Sequence, residues 1–155
     1  MKPILVYTFA LLGILAPLAQ ASDQEVSRLE GVVVEALNAI YAEGSSELTS
    51  KQKQDKVRDV IEASYDLSVV IRRAIGRNWK LMSASEQEQV LELVKQLVLK
   101  AYVDGMDGKA RPVVNLGKVV TISNKRIEIP STVKLEDQTT NLLYRLGKMK
   151  SGWQI

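Results

Sequence analysis

The apolar residues of this chain repeat at one spacing in its first half and at a different spacing in its second half. Up to about Gly105 they recur every three or four residues, which is typical of amphipathic helices. Past Gly108 they alternate with polar residues and β-branched side chains become common, which is typical of half-buried strands. Helices followed by strands predict an α+β fold, in which N-terminal helices pack on a curved C-terminal antiparallel sheet.

Glycines and capping side chains mark the ends of three predicted helices in the first half of the chain. The predicted helices cover residues 23–41, ended by Gly44-Ser45-Ser46, a stretch from about Lys51, and residues 67–75, preceded by Asp66 and ended by Gly76. An aspartate at the Asp66 position can accept hydrogen bonds from the free amides of the first helical turn. A glycine such as Gly76 can take the left-handed conformation that commonly ends a helix.

A capping box predicts where a fourth helix begins. The Ser83 hydroxyl and the Glu86 carboxylate can each satisfy a free amide of the first turn. We expect this helix to end near Asp104-Gly105. It carries an apolar stripe made of Val90, Val94, Leu97, Val98 and Ala101.

Two strands are predicted around an Asn124-Lys125 turn, residues 119–123 and residues 126–135. If the turn is a two-residue hairpin, Ile122 faces Ile127 and Val120 faces Ile129, so that one face of the hairpin is apolar. A further strand is predicted over residues 140–148. A last strand begins at Trp153 and is followed by no partner sequence, so we expect the chain to be truncated at its C-terminus.

The first residues predict export. Lys2 supplies a short positive start, residues 4–15 form an apolar run, and Ala19-Gln20-Ala21 is a small-x-small cleavage site. We therefore predict a cleavable signal peptide over residues 1–21 and a periplasmic protein of one domain over residues 22–155.

Composition excludes several kinds of chemistry. The chain has no histidine and no cysteine, which removes Cys-His and Ser-His nucleophiles and the usual zinc sites. The 21 basic residues are nearly balanced by 18 acidic ones, which argues against nucleic acid as a partner. Tyr65 with Asp66 is the strongest catalytic pair, yet adjacent residues rarely converge on one substrate atom. We expect no catalytic residues, no metal site and no enzyme.

Several motifs, in their order along the chain, resemble the MlaC family of periplasmic phospholipid carriers, also called the toluene-tolerance auxiliary family. They are Tyr65-Asp66-Leu67-Ser68, Ile71 to Trp79 with Gly76 three residues before the tryptophan, Ser83 to Gln87 opening a helix that closes on Ala101-Tyr102, Leu143-Tyr144-Arg145-Leu146, and Gly152-Trp153-Gln154-Ile155. The resemblance covers roughly residues 25–155. It departs at the end, where the family continues with a further strand segment and a final helix.

The resemblance implies a carrier without a cofactor, whose cargo is a phospholipid held with its tails between the helices and the sheet. It implies a Gram-negative source and a role in outer-membrane lipid asymmetry as the soluble component of an ABC lipid transport system. The implied partners are an inner-membrane ABC transporter with a lipid-binding ring and an outer-membrane lipoprotein complex. We expect a monomer. A carrier of hopanoid-type lipid and a periplasmic chaperone or adaptor remain alternatives.

Aliphatic side chains from both halves are the candidate lipid-binding residues, with plain core packing as the alternative interpretation of each. They are Val70, Val94, Leu97, Val98, Val120, Ile122, Ile127, Ile129, Val133 and Leu135. A basic cluster of Arg72, Arg73 and Arg77 is a candidate contact for a lipid head group or a partner, since guanidinium groups suit phosphate. A solvated helix face would explain the same arginines.

Overall fold

The computed structural model describes the backbone of residues 16–155 and the side chains of residues 23–155. Most of the predicted signal peptide therefore lies outside the described residues. Within the described part, no helix combines the length and the apolar character needed to cross a membrane.

Four helices form the first half of the chain, as the apolar periodicity predicts. They are α1 (Ala16–Tyr41), α2 (Ser50–Glu62), α3 (Leu67–Ile75) and α4 (Ala84–Met106). Short 3-10 turns follow α1 and α3, at Ser45–Glu47 and Gly76–Leu81.

The structure confirms the caps that the sequence predicts for α3 and α4. The Asp66 carboxylate accepts hydrogen bonds from the amides of Ser68 and Val69, at 2.8 and 3.2 Å. Ser83 and Glu86 form the complete capping box of α4. These contacts are local in sequence, which is why the sequence alone predicts them.

The second half forms one antiparallel sheet, curled as a half-barrel. Its strands are β1 (Val113–Leu116), β2 (Val120–Ser123), β3 (Arg126–Leu135), β4 (Gln138–Met149) and β5 (Gly152–Gln154). The order is β1-β3-β4-β5, and β2 pairs with the same edge of β3 as β1 does. The α+β prediction is thereby confirmed.

Strand β1 was missed by the sequence prediction. It pairs with β3 over residues 131–134, whereas β2 pairs over residues 126–128, so the two short strands are successive parts of one edge. Between them Gly117 donates its amide to the carbonyl of Pro130 at 2.7 Å. A Cβ at Gly117 would lie 2.9 Å from the Pro130 ring, so this close approach requires glycine.

The predicted hairpin register is wrong beyond its turn. Ser123 pairs with Arg126 as expected, but the register then shifts, so that Thr121 pairs with Ile127 and Val120 with Glu128. An irregularity at Ile122 adds one residue to β2, as a bulge does, and a shift of one residue turns each side chain to the other face. Val120 therefore does not share the face of Ile129.

Two buried clusters hold the helices and the sheet together, and α1 contributes to both. The first joins Leu29 of α1 to the sheet and to the start of α3; its buried members are Leu29, Tyr65, Ile127, Ile129 and Leu146. The second joins the three long helices; its buried members are Ala36, Ile40, Val57, Leu99 and Val103.

Candidate functional site

Helix α4 has two apolar faces, and only one of them is covered. Leu99 and Val103 are buried in the helical cluster, at 2% and 1% exposure. Leu97 and Val98 lie away from that face and are 65% and 52% exposed. Leu93, one turn before Leu97, is 63% exposed. The predicted stripe of α4 is therefore a real apolar face, but it is not the face that forms the core.

The face of the sheet that packs on α1, called the inner face below, is covered at one end and open at the other. Near the β2–β3 turn, Ile127 pairs with Leu146, and both are buried. Toward the other end, Leu142 pairs with the small side chain of Ser131 and is 44% exposed. Because side chains alternate along a strand, Leu142 and Leu146 lie on the same face.

Two half-buried tyrosines, Tyr102 on α4 and Tyr144 on β4, lie near the uncovered apolar residues. Burial, followed by the neighbouring phenol groups of Tyr144 and Tyr41, raises the pKa of Tyr102 to about 12. The two phenol groups are therefore close enough for their charges to interact, while Tyr102 packs against the helical cluster and Tyr144 against the first cluster. One helical turn before Tyr102 is the exposed Val98, and two residues before Tyr144 is the exposed Leu142. Apolar surface therefore stays uncovered close to each tyrosine.

Nine of the ten candidate lipid-binding residues fall into three groups. Ile127 and Ile129 are buried in the first cluster, so their side chains are occupied by core packing. Val94, Val133 and Leu135 are half-buried, and Leu97 and Val98 are exposed. Val120 and Ile122 are half exposed on β2, out of register with the buried isoleucines.

Val70 lies elsewhere, in a cleft between α3 and the strands β3 and β4. The cleft has a volume of about 870 Å³. We call it the basic cleft, because its charged lining residues are five cations and one carboxylate. They are Arg73, Lys125, Arg126, Arg145 and Lys148, with Glu128. Of the three arginines predicted to act together, only Arg73 lines it. The other cations come from positions distant in sequence, so no local pattern could have indicated them.

The remaining two predicted arginines have other surroundings. Arg72 donates to the Ser68 carbonyl at 3.0 Å and lies 3.9 Å from the Asp66 carboxylate. Arg77 is exposed in the 3-10 turn after α3. For Arg72, the interpretation as a solvated helix face describes the structure well.

A buried polar group joins α1 to the end of the sheet. The Arg28 guanidinium lies over the Tyr65 ring at 4.4 Å, contacts the Glu25 carboxylate at 2.7 Å and donates to the Trp153 carbonyl. Burial raises the pKa of Glu25 despite the opposing effect of Arg28. These contacts fasten α1 to β5 and to Tyr65, the residue before the cap of α3.

The described residues contain no cluster of acidic side chains able to hold a metal ion. Tyr65, one half of the candidate catalytic pair, is 1% exposed, and the Asp66 carboxylate caps α3. Neither side chain is placed to act on a substrate.

The comparisons with known proteins agree with this architecture. No curated protein sequence is significantly similar to the chain. The structure of a phospholipid-binding protein from Ralstonia solanacearum, in complex with a phospholipid, has a similar fold: the TM-score is 0.64 at 19% identity, covering 83% of this chain and 73% of that one. The family model described as MlaC protein matches residues 32–155. This match spans most of the sequence, and the chain therefore belongs to the MlaC family.

Proposed function

We propose that the protein is a lipid carrier that covers the acyl chains of a phospholipid with the exposed apolar face of α4 and the open end of the inner sheet face. The observation that carries this proposal is the uncovered apolar surface on α4 close to Tyr102 and on β4 close to Tyr144. Leu97, Val98 and Leu142 are each more than two fifths exposed. Large exposed aliphatic patches on a protein usually mark a binding surface.

The energetic reason for such a carrier is the insolubility of acyl chains. Each methylene group removed from water contributes about 0.8 kcal/mol, so a free diacyl lipid leaves a membrane very slowly. A protein that covers the tails lowers this barrier without any chemical reaction. The phospholipid bound by the Ralstonia solanacearum protein of similar fold supports phospholipid, rather than a hopanoid, as the cargo.

The predicted signal peptide and the family membership support a place in the periplasm. There the carrier takes lipid from one membrane system and delivers it to another, with an ABC transporter at the inner membrane and a lipoprotein complex at the outer membrane as its relay partners. We propose no catalytic step, because the carrier changes the position of its cargo and not its covalent structure.

The test is lipid retention by Val98→Glu. A carboxylate at this position would oppose acyl chains, because burying an unpaired charge in an apolar surround is strongly unfavourable. We expect native mass spectrometry of purified Val98→Glu to show little bound lipid, while circular dichroism shows a normal helix content. Ile129→Glu would be a poor test, since Ile129 is fully buried and the variant would unfold.

Val34→Glu is the matched control. Val34 is also a helical valine, it lies in α1, and it is 44% exposed, against 52% for Val98. We expect it to retain lipid as the unchanged protein does. Equal lipid retention in both variants would contradict the proposed site, and an unchanged protein that carries no lipid but binds unfolded polypeptide would favour the chaperone alternative.

A further inference from the structure

The side chains that line the basic cleft have a larger net positive charge than the whole chain. Five cations and one carboxylate line it, whereas the formal net charge of the chain is +3. The carboxylate, Glu128, is already paired, since its oxygen lies 2.9 Å from Nε of Arg145. Among the described residues that line the cleft, no other has an acidic side chain.

Strand pairing and one backbone contact bring these cations together. Arg126 pairs with Gly147 across β3 and β4, and Glu128 pairs with Arg145 one step further along the same face. The amide of Lys148 donates to the carbonyl of Lys125 at 3.0 Å, which places the two lysines at the end of the cleft near the β2–β3 turn. The charge is therefore a consequence of sheet register.

Gly147 opens a notch at the centre of the cleft, and the guanidinium of Arg73 lies in it. A Cβ on Gly147 would lie 2.5 Å from Nη2 of Arg73, so any side chain there would displace the guanidinium. The group donates hydrogen bonds to the main-chain oxygens of Gln154 and Ile155, at 3.1 and 3.2 Å from Nη1. A cation fixed in this way loses little further freedom on binding an anion.

We infer that the basic cleft binds a phosphate group, either that of a phospholipid head group or that of a small soluble phosphate. Guanidinium groups donate in a planar fork that fits phosphate oxygens, and three arginines from three elements line this cleft. Its volume of about 870 Å³ is large enough to admit a phosphate group together with the glycerol attached to it. As a head-group site it rests on the proposed carrier function; as a site for soluble phosphate it does not.

The test removes two cations whose side chains are exposed and do not contribute to the core. Lys125→Gln with Arg126→Gln changes two exposed side chains of the cleft. Each basic residue near a lipid surface contributes roughly a fivefold change in affinity, so the pair should weaken binding about 30-fold. The probes are vesicles of phosphatidylcholine and phosphatidylglycerol in equal parts, measured by flotation, and glycerol 3-phosphate, measured by calorimetry.

The control removes one lysine and one arginine outside the cleft. Lys134→Gln with Arg111→Gln makes the same change in net charge at exposed positions. We expect it to alter binding less than about twofold. Gly147→Ala is a second variant that keeps every charge and displaces only the end of the flexible Arg73 side chain, so it should fold and still weaken binding.

The outcomes separate the sources of phosphate. Loss confined to vesicles assigns the site to head groups, and loss for glycerol 3-phosphate assigns it to the phosphate group alone. Equal binding by the cleft variant and its control, with both probes, would overturn the inference. Lipid retention, measured in parallel, reports on the carrier proposal independently.

Discussion

Strand β4 offers a direct test of which parts of the inner sheet face are core and which are binding surface. Leu142 and Leu146 are the same residue type on the same face of one strand, four residues apart. Leu146 is 1% exposed and Leu142 is 44% exposed. Replacing each by alanine changes strand propensity equally, so the difference between the two variants reports on packing alone.

Leu146→Ala should be much the more costly change. Deletion of a buried leucine side chain leaves a cavity and typically lowers the free energy of unfolding by 2.7–5.0 kcal/mol, so we expect about 3 kcal/mol. At Leu142 slightly more than half of the side chain is buried and the site is open, so only part of the transfer free energy is lost. At about 0.8 kcal/mol per methylene, this comes to about 1 kcal/mol.

Urea unfolding of lipid-free protein measures both values, because bound lipid would stabilise the folded state and obscure the comparison. Tryptophan fluorescence is a suitable probe, since Trp153 packs against the cluster that contains Leu146. If Leu142→Ala destabilised the protein as much as Leu146→Ala, the open end of the inner face would be packed in solution. The proposed lipid surface would then be refuted.

Three further predictions concern the elements that build the site. Asp66→Ala should lower the free energy of unfolding by about 1 kcal/mol through loss of the α3 cap, measured by urea titration, whereas Asp66→Asn should cost less. Hydrogen bonds from Ser83 lower the pKa of Glu86 below its usual 4.5. The contribution of Glu86 is thus complete above that value and is lost as the pH falls through the folded pKa; the Tm difference between the unchanged protein and Glu86→Gln should shrink on acidification. Gly117→Ala should cost about 1–3 kcal/mol, because its Cβ would meet the Pro130 ring; a Tm equal to that of the unchanged protein would contradict the close approach.

Local signals predicted the elements well. Asp66, Gly76 and the Ser83–Glu86 box each act within a few residues of themselves, so their effect on helix boundaries can be derived without tertiary structure. The change of apolar period past Gly108 predicted the α+β class for the same reason. Strand β1 escaped prediction because its four residues are too few for an alternation to be distinguished from a loop.

The candidate site was predicted only in part. The α4 stripe is correct as an apolar face, but nothing in a periodic pattern says which of two apolar faces meets the core. Leu142 belongs to the same alternation as Tyr144 and Leu146, and that alternation could have included it in the candidate set. Ile127 and Ile129 were candidates because of a similar alternation in β3, yet they are buried in the cluster that contains Leu29 of α1, whereas Leu142 is exposed.

The sequence by itself determined the helices, their caps, the strand-rich second half and the resemblance to the MlaC family, because these depend on residues near one another in the chain. Only the tertiary structure decided the register of β2, where one irregular residue at Ile122 reverses the faces. It also decided which apolar surfaces remain uncovered and which distant cations share one cleft. These properties arise from contacts between residues far apart in sequence, whose geometry depends on how whole elements pack.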